Sequence, residues 1–303
     1  MSLHLAIGLA SVVSVAIPVS EWAISGGDPF SGAGIVATQE GVVYFVDRGR
    51  DVVWRLEDGA LDRVVVGLKT RSLQLADDGT LMGVSRSQRG AEAWAMTQDG
   101  RVHTLGCGDA ALGMAMDGTG RVYGWSAGPR NEPISVWRAQ PDGRRFELAR
   151  GEWGHRDGTG RHVRLFPIGA MLVGADGSVL LTSGPSIRRV APDGRVSTIA
   201  AGSSLLKPKH SLLRRLAGVV RGHLAGIATD DRGAIYVANT ERELVARVER
   251  GRATSFYRSP RGWRPVGVAA ANAQVYVLEY GPGLRVSSVD PHGRVKPLLE
   301  LAG

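Results

Sequence analysis

Gly226-Ile227-Ala228-Thr229-Asp230-Asp231-Arg232-Gly233-Ala234-Ile235-Tyr236-Val237-Ala238-Asn239 contains two short apolar runs split by a polar turn that ends in glycine. Short runs rich in Ile, Val and Tyr, bounded by Asp and Gly, read as the two strands of a hairpin. A second segment repeats the design around Asp-Gly: Ile187-Arg188-Arg189-Val190-Ala191-Pro192-Asp193-Gly194-Arg195-Val196-Ser197-Thr198-Ile199-Ala200. Asp-Gly between apolar runs is a strong hairpin signal, because both residues tolerate the positive φ that a tight turn requires.

Working outward, both turns recur along the chain. The first falls at Gly41, Gly79, Gly120, Gly177 and Gly233, with Ala273 in the sixth place. The second falls at Gly59, Gly100, Gly143, Gly194, Gly251 and Gly293, at intervals of 41, 43, 51, 57 and 42 residues. Each unit is therefore strand, turn, strand, loop, strand, turn, strand. Four strands repeated at roughly 40 to 50 residues are the signature of propeller blades. The two longer intervals place insertions in loops. The expected fold is all-β, a six-bladed β-propeller with four-stranded antiparallel blades near 34–67, 72–106, 113–150, 169–202, 225–257 and 266–300.

The two quoted segments resemble the NHL repeat, and the resemblance covers about residues 28–303. It implies the same propeller and describes blade geometry, so it carries no ligand with it. Residues 1–27 stand apart as an N-terminal segment, either an export signal built on the apolar run Leu5 to Ile17 or an edge strand. The chain is exported, periplasmic or extracellular, if that run is a signal, and cytoplasmic otherwise. No apolar run reaches the roughly 18 to 20 residues needed to span a bilayer. A monomer is expected.

The net charge is +8 and the pI about 10.1. Such a balance favours acidic partners. Its placement is uneven, since the fourth-to-first strand connectors carry 14 Lys and Arg against only Asp109, Glu152 and Asp157. In a propeller these connectors emerge at one end, the top. Arg71 precedes a first strand where the other repeats have Ala33, Leu112, Gly169, Ala225 and Val266, all uncharged. Arg71, Arg164 and Arg264 are therefore candidate ligands for a carboxylate or phosphate, with Trp263 beside them. Basic and aromatic side chains together also suit RNA, which some NHL propellers bind on this face. The partner is expected to be an anionic small molecule or protein, with RNA as a further class. Residues 210–221 read as a short amphipathic helix lying over the channel mouth.

Candidates for chemistry are sparser. Cys107 is the single cysteine, which excludes an internal disulfide. Six residues after each first turn lie Asp47, Ser85, Ser126, Ser183, Asn239 and Glu279. Short polar side chains there are expected to bond the following turn. Glu279 departs from that pattern and should face the channel mouth. Propeller lactonases hold a divalent cation over the channel, and Asp47, Asn239 and Glu279 are the oxygen ligands this chain offers. Their characteristic signatures are missing here, so no metal ligands are assigned and the cofactor stays open. His155, His162 and His223 fall in the inserted loops. With Glu279 they are the catalytic candidates for an alternative reading, a lactonase-like hydrolase or a lyase.

Overall fold

The computed structural model describes residues 13–14, 34–87, 90–97, 99–109, 112–127, 133–139, 144–201 and 224–303. His223 and the expected helix over 210–221 lie outside these residues. Blade 1 is β2 (Ile35–Ala37), β3 (Val43–Asp47), β4 (Val52–Glu57) and β5 (Ala60–Val66). Blade 2 is β6 (Thr70–Leu75), β7 (Leu81–Ser87), β8 (Gly90–Met96) and β9 (Val102–Asp109). Blade 3 is β10 (Gly113–Met116), β11 (Val122–Ala127), β12 (Ile134–Ala139) and β13 (Arg145–Trp153), with the two-residue β14 (Arg164–Leu165) added in parallel to the end of β13. Blade 4 is β15 (Ile168–Val173), β16 (Val179–Ser183), β17 (Ser186–Val190) and β18 (Val196–Ala201). Blade 5 is β19 (Leu224–Thr229), β20 (Ile235–Asn239), β21 (Leu244–Glu249) and β22 (Arg252–Arg258). Blade 6 is β23 (Arg264–Ala271), β24 (Gln274–Tyr280), β25 (Gly283–Val289) and β26 (Val295–Ala302).

Every blade is an antiparallel sheet of consecutive strands, so the chain forms a six-bladed β-propeller on the segments expected from the repeat. First strands of neighbouring blades touch and wall the central channel. β1 (Val13–Ser14) pairs with the channel side of β2. The wall is tight: a Cβ on Gly34 would stand 2.5 Å from the Leu73 amide nitrogen, and one on Gly226 would stand 2.9 Å from Gly267 Cα. These glycines let adjacent strands meet, so they are seam residues as much as a channel lining.

Apolar side chains fill the seams between blades. Ile35, Phe45 and Trp54 of blade 1 pack with Val266, Leu278 and Val286 of blade 6 in one cluster, which closes the ring. Polar clips add to this packing. Gln74 uses both ends of its amide on the backbone N–H and C=O of Met116, tying blade 2 to blade 3. The Thr182 hydroxyl accepts from the Ala170 amide (2.8 Å) and donates to the Leu224 carbonyl (3.1 Å), tying blade 4 to blade 5. Thr240 donates to the Pro265 carbonyl (2.8 Å) across the next seam. At the closure, Tyr280 accepts from the Arg48 amide (3.1 Å) and donates to the Val46 carbonyl (3.2 Å).

The Asp-Gly turns differ from expectation in one respect. Asp58 and Gly59 both have positive φ, +48° and +82°. At Asp99-Gly100 and Asp193-Gly194 only the glycine does. There the loop is one residue longer, a form in which a single left-handed residue suffices. The aspartate instead turns its carboxylate onto the amide two residues on, as Asp193 does with Arg195 at 3.0 Å.

Candidate functional site

The end at which first strands begin and second strands finish carries Asp47, Asn239, Glu279, Arg71 and Arg264. At the finish of four second strands, the polar residue is engaged in local structure. Asp47 accepts from the Arg50 amide (3.1 Å) and guanidinium (2.9 Å), and Asn239 accepts from the Arg242 amide (2.9 Å). Ser85 accepts from the Trp94 indole N–H (2.9 Å), and Ser183 bonds both the N–H and the C=O of Phe166. Asp47 and Asn239 thus bond their following turns, as their short side chains suggest.

Glu279 is 0% exposed and sits inside the seam between blades 5 and 6. Its Oε2 accepts from Arg285 Nε (2.9 Å) and Nη2 (2.6 Å), and both of its oxygens lie within 3.1 Å of the Tyr257 hydroxyl. The Arg285 guanidinium lies 4.4 Å over the Trp263 ring. Burial pushes the Tyr257 phenol well above its ordinary pKa, and the Glu279 charge adds to the shift. Trp263 is itself buried, so its ring is covered by Arg285 and offers no open stacking platform. The expectation that Glu279 faces the channel mouth is therefore corrected. A glutamate is long enough to reach across the seam to Tyr257, where Asp or Asn turns back on its own loop.

Arg71 occupies a register shift between Thr70 and Ser72 at the start of β6. The same shift falls at Ala225 in β19, Val266 in β23 and Gly169–Ala170 in β15. Arg71 is thus a charge inserted at a repeated bulge of the channel strand. It is half-buried, and loss of water lowers the pKa of its guanidinium. Arg264 is exposed at the first position of β23. The two stand on the channel strands either side of blade 1.

Arg164 is elsewhere. Its guanidinium pairs with Glu152 at 3.3 Å, and its carbonyl accepts from Arg188 on β17, the third strand of blade 4. At the spacing of sheet strands that is about 10 Å out from the channel strand, so it forms no three-armed fork with Arg71 and Arg264. His155 lies 3.5 Å from the Thr198 hydroxyl on β18, the outermost strand of blade 4, and His162 is exposed in a 3-10 turn at Gly160–His162. Neither approaches Glu279 in the seam two blades away. Asp47, Asn239 and Glu279 do not converge either, since each is bonded within or beside its own blade. Among the described residues no three His, Cys, Asp or Glu side chains gather as a metal cage.

The sequence reading missed Arg188, which is 0% exposed and the largest fully buried side chain. Each blade has a bulge between its third and fourth strands, at Trp54, Trp94, Trp137, Arg188, Ala246 and Ser287. Arg188 takes the place that tryptophan holds in blades 1 to 3. It donates to the carbonyls of Arg164 (3.2 Å) and Arg156 (3.0 Å) and to the Asp157 carboxylate (2.7 Å). Asp157 also accepts from the Thr198 amide (3.0 Å) and hydroxyl (2.7 Å). Burial acts to raise the Asp157 pKa, but the Thr198 bonds and the Arg188 charge outweigh it and hold the carboxyl below its ordinary value.

No family model matches the chain, and no curated protein matches it in sequence. Among solved structures it is similar to virginiamycin B lyase from Staphylococcus aureus, at 13% identity over 95% of this chain and 87% of that one, TM-score 0.54. A gluconolactonase from Xanthomonas campestris aligns at 14% identity over 94% and 92% of the two chains, TM-score 0.57. The calcium-binding protein regucalcin from Agrobacterium tumefaciens aligns at 14% identity over 82% of each, TM-score 0.53. At such identities the likeness concerns the fold alone. The chain is a six-bladed β-propeller.

Proposed function

We propose that the chain is an NHL-type binding propeller that takes an anionic ligand at its channel mouth, with Arg71 as the principal cation and Arg264 beside it. The carrying observation is Arg71, a half-buried guanidinium at a bulge whose counterparts in blades 4, 5 and 6 are uncharged. A guanidinium placed at the channel entrance presents a planar fork of donors suited to a carboxylate or phosphate. The one-sided charge of the connectors adds electrostatic steering toward the same end.

The alternative is a hydrolase or lyase at this mouth, as the lyase and gluconolactonase of like fold suggest. It asks Glu279 and the loop histidines to act together, and the Glu279 carboxylate is already held by Arg285 and Tyr257. The binding reading therefore ranks first.

The test is calorimetric titration of wild type and Arg71→Ala with pyrophosphate, citrate and a single-stranded RNA. The variant should bind the small anions at least tenfold more weakly, about 1.4 kcal/mol. Wild-type binding should weaken as salt rises. Equal affinity in both proteins, or indifference to salt, would remove Arg71 from the site.

A further inference from the structure

Residues 154–165 form a strap longer than a join between blades requires, anchored by the buried Val163 and Leu165. Residues 67–69 suffice to join blades 1 and 2. The strap folds back on itself through paired backbone bonds between Arg156 and Arg164 (3.2 and 3.1 Å). Gly158 then exchanges two bonds with Val196 on β18 (3.0 and 2.8 Å), at a φ of +145° that a side chain would strain. Arg188 and Asp157 fix it from beneath, at the desolvation cost of a wholly buried guanidinium.

What this rigid element holds out is distinctive. Trp153, immediately before it, is 45% exposed, while Trp54, Trp94, Trp125, Trp137 and Trp263 are buried. Arg156 and Arg161 are exposed and make no ion pair among the described residues, and His155 and His162 are exposed with them. Asp157, the strap's own acid, is neutralised by Arg188. An exposed tryptophan on the same short segment as exposed arginines has the composition of a protein-binding hot spot, and the neighbouring Glu152 is paired with Arg164. A loop already fixed in place loses little entropy on binding.

We propose that this strap, with Trp153 at its edge, is a docking surface for an acidic segment of a partner protein. Single-stranded nucleic acid fits less well, because successive bases need a series of large stacking rings and Trp153 is the one exposed indole among the described residues. A bilayer fits less well, because an interfacial element needs a broad apolar face.

The test uses fluorescence anisotropy with a labelled glutamate-rich peptide, a single-stranded RNA of equal charge and phosphatidylserine vesicles. Trp153→Ala and Arg156→Ala/Arg161→Ala should each weaken the peptide at least tenfold. Arg63→Ala/Arg101→Ala, exposed arginines of blades 1 and 2, should leave it unchanged. Quenching of the exposed tryptophan fluorescence by iodide should fall when peptide is bound to wild type, and this protection should vanish in Trp153→Phe. Equal peptide affinity across all variants would overturn the proposal. So would strap-dependent binding of RNA or vesicles without strap-dependent binding of peptide.

Discussion

At the scale of single residues, the molecule uses charge mostly to hold itself together. Glu279 and Arg285 form a seam pair, and removing one partner of a buried pair leaves the other charge uncompensated. Glu279→Gln should therefore cost about 3 kcal/mol of stability, read from urea unfolding. In Glu279→Gln/Arg285→Met the loss should be smaller than the sum of the single losses, because no orphan charge remains. Additive losses would mean that the two residues act separately. Asp47 and Asn239 were legible in sequence because a short polar side chain at a strand end has few choices. Glu279 was not, because although Arg285 stands opposite it on the next strand, Tyr257 comes from across the seam, a contact no local pattern encodes. Arg188 carried a usable signal. It aligns with Trp54, Trp94 and Trp137 six or five residues before the second turn, and a charge in that place asks for a buried partner.

At the scale of elements, turn chemistry separates the blades. Most first turns close on glycine, with φ of +92° at Gly41 and +80° at Gly233. Blade 6 instead uses the two-residue turn Asn272-Ala273, with φ of +49° and +54°. Alanine in the left-handed region costs roughly 1–2 kcal/mol against the right-handed one, and glycine largely escapes that penalty. Ala273→Gly converts the turn to Asn-Gly, the favoured pair for this geometry. The substitution should raise the urea midpoint by an amount worth about 1 kcal/mol, with no change in slope. A fall in the midpoint would show that Ala273 is held by contacts that outweigh its backbone strain. The repeat made strands and turns legible because each blade restates the same period. The strap was not legible, since nothing in residues 154–165 repeats, and its shape depends on Arg188 and Thr198 from the next blade.

At the scale of the whole molecule, no strand among the described residues is exchanged between the two ends of the ring, so stability rests on seams and on the turns that space them. Those turns are tied by carboxylates. Asp117 accepts from the Thr119 amide and hydroxyl (3.0 and 2.7 Å) and from the Arg121 amide and guanidinium (3.0 and 2.7 Å). Its burial acts to raise the pKa, but these donors outweigh it and hold the carboxyl below its ordinary value. Asp176 is held down chiefly by the Ser178 hydroxyl and amide, and Asp78 chiefly by the Thr80 amide. A carboxylate whose pKa is depressed on folding contributes stability above its unfolded pKa, near 3.9. That contribution disappears as pH falls through the lower folded value. Stability should therefore be flat with respect to these groups above about pH 5 and decline below about pH 4. Asp117→Asn should lose about 1–2 kcal/mol at pH 7, because a charge-assisted set of bonds becomes a neutral one. The same variant should show a shallower decline between pH 5 and pH 2.5 than wild type, since one of the protonating groups is gone. Urea unfolding of both proteins across that range gives the comparison. Parallel curves would mean that Asp117 protonates alike in the folded and unfolded chain, and that the turn is held by its backbone alone.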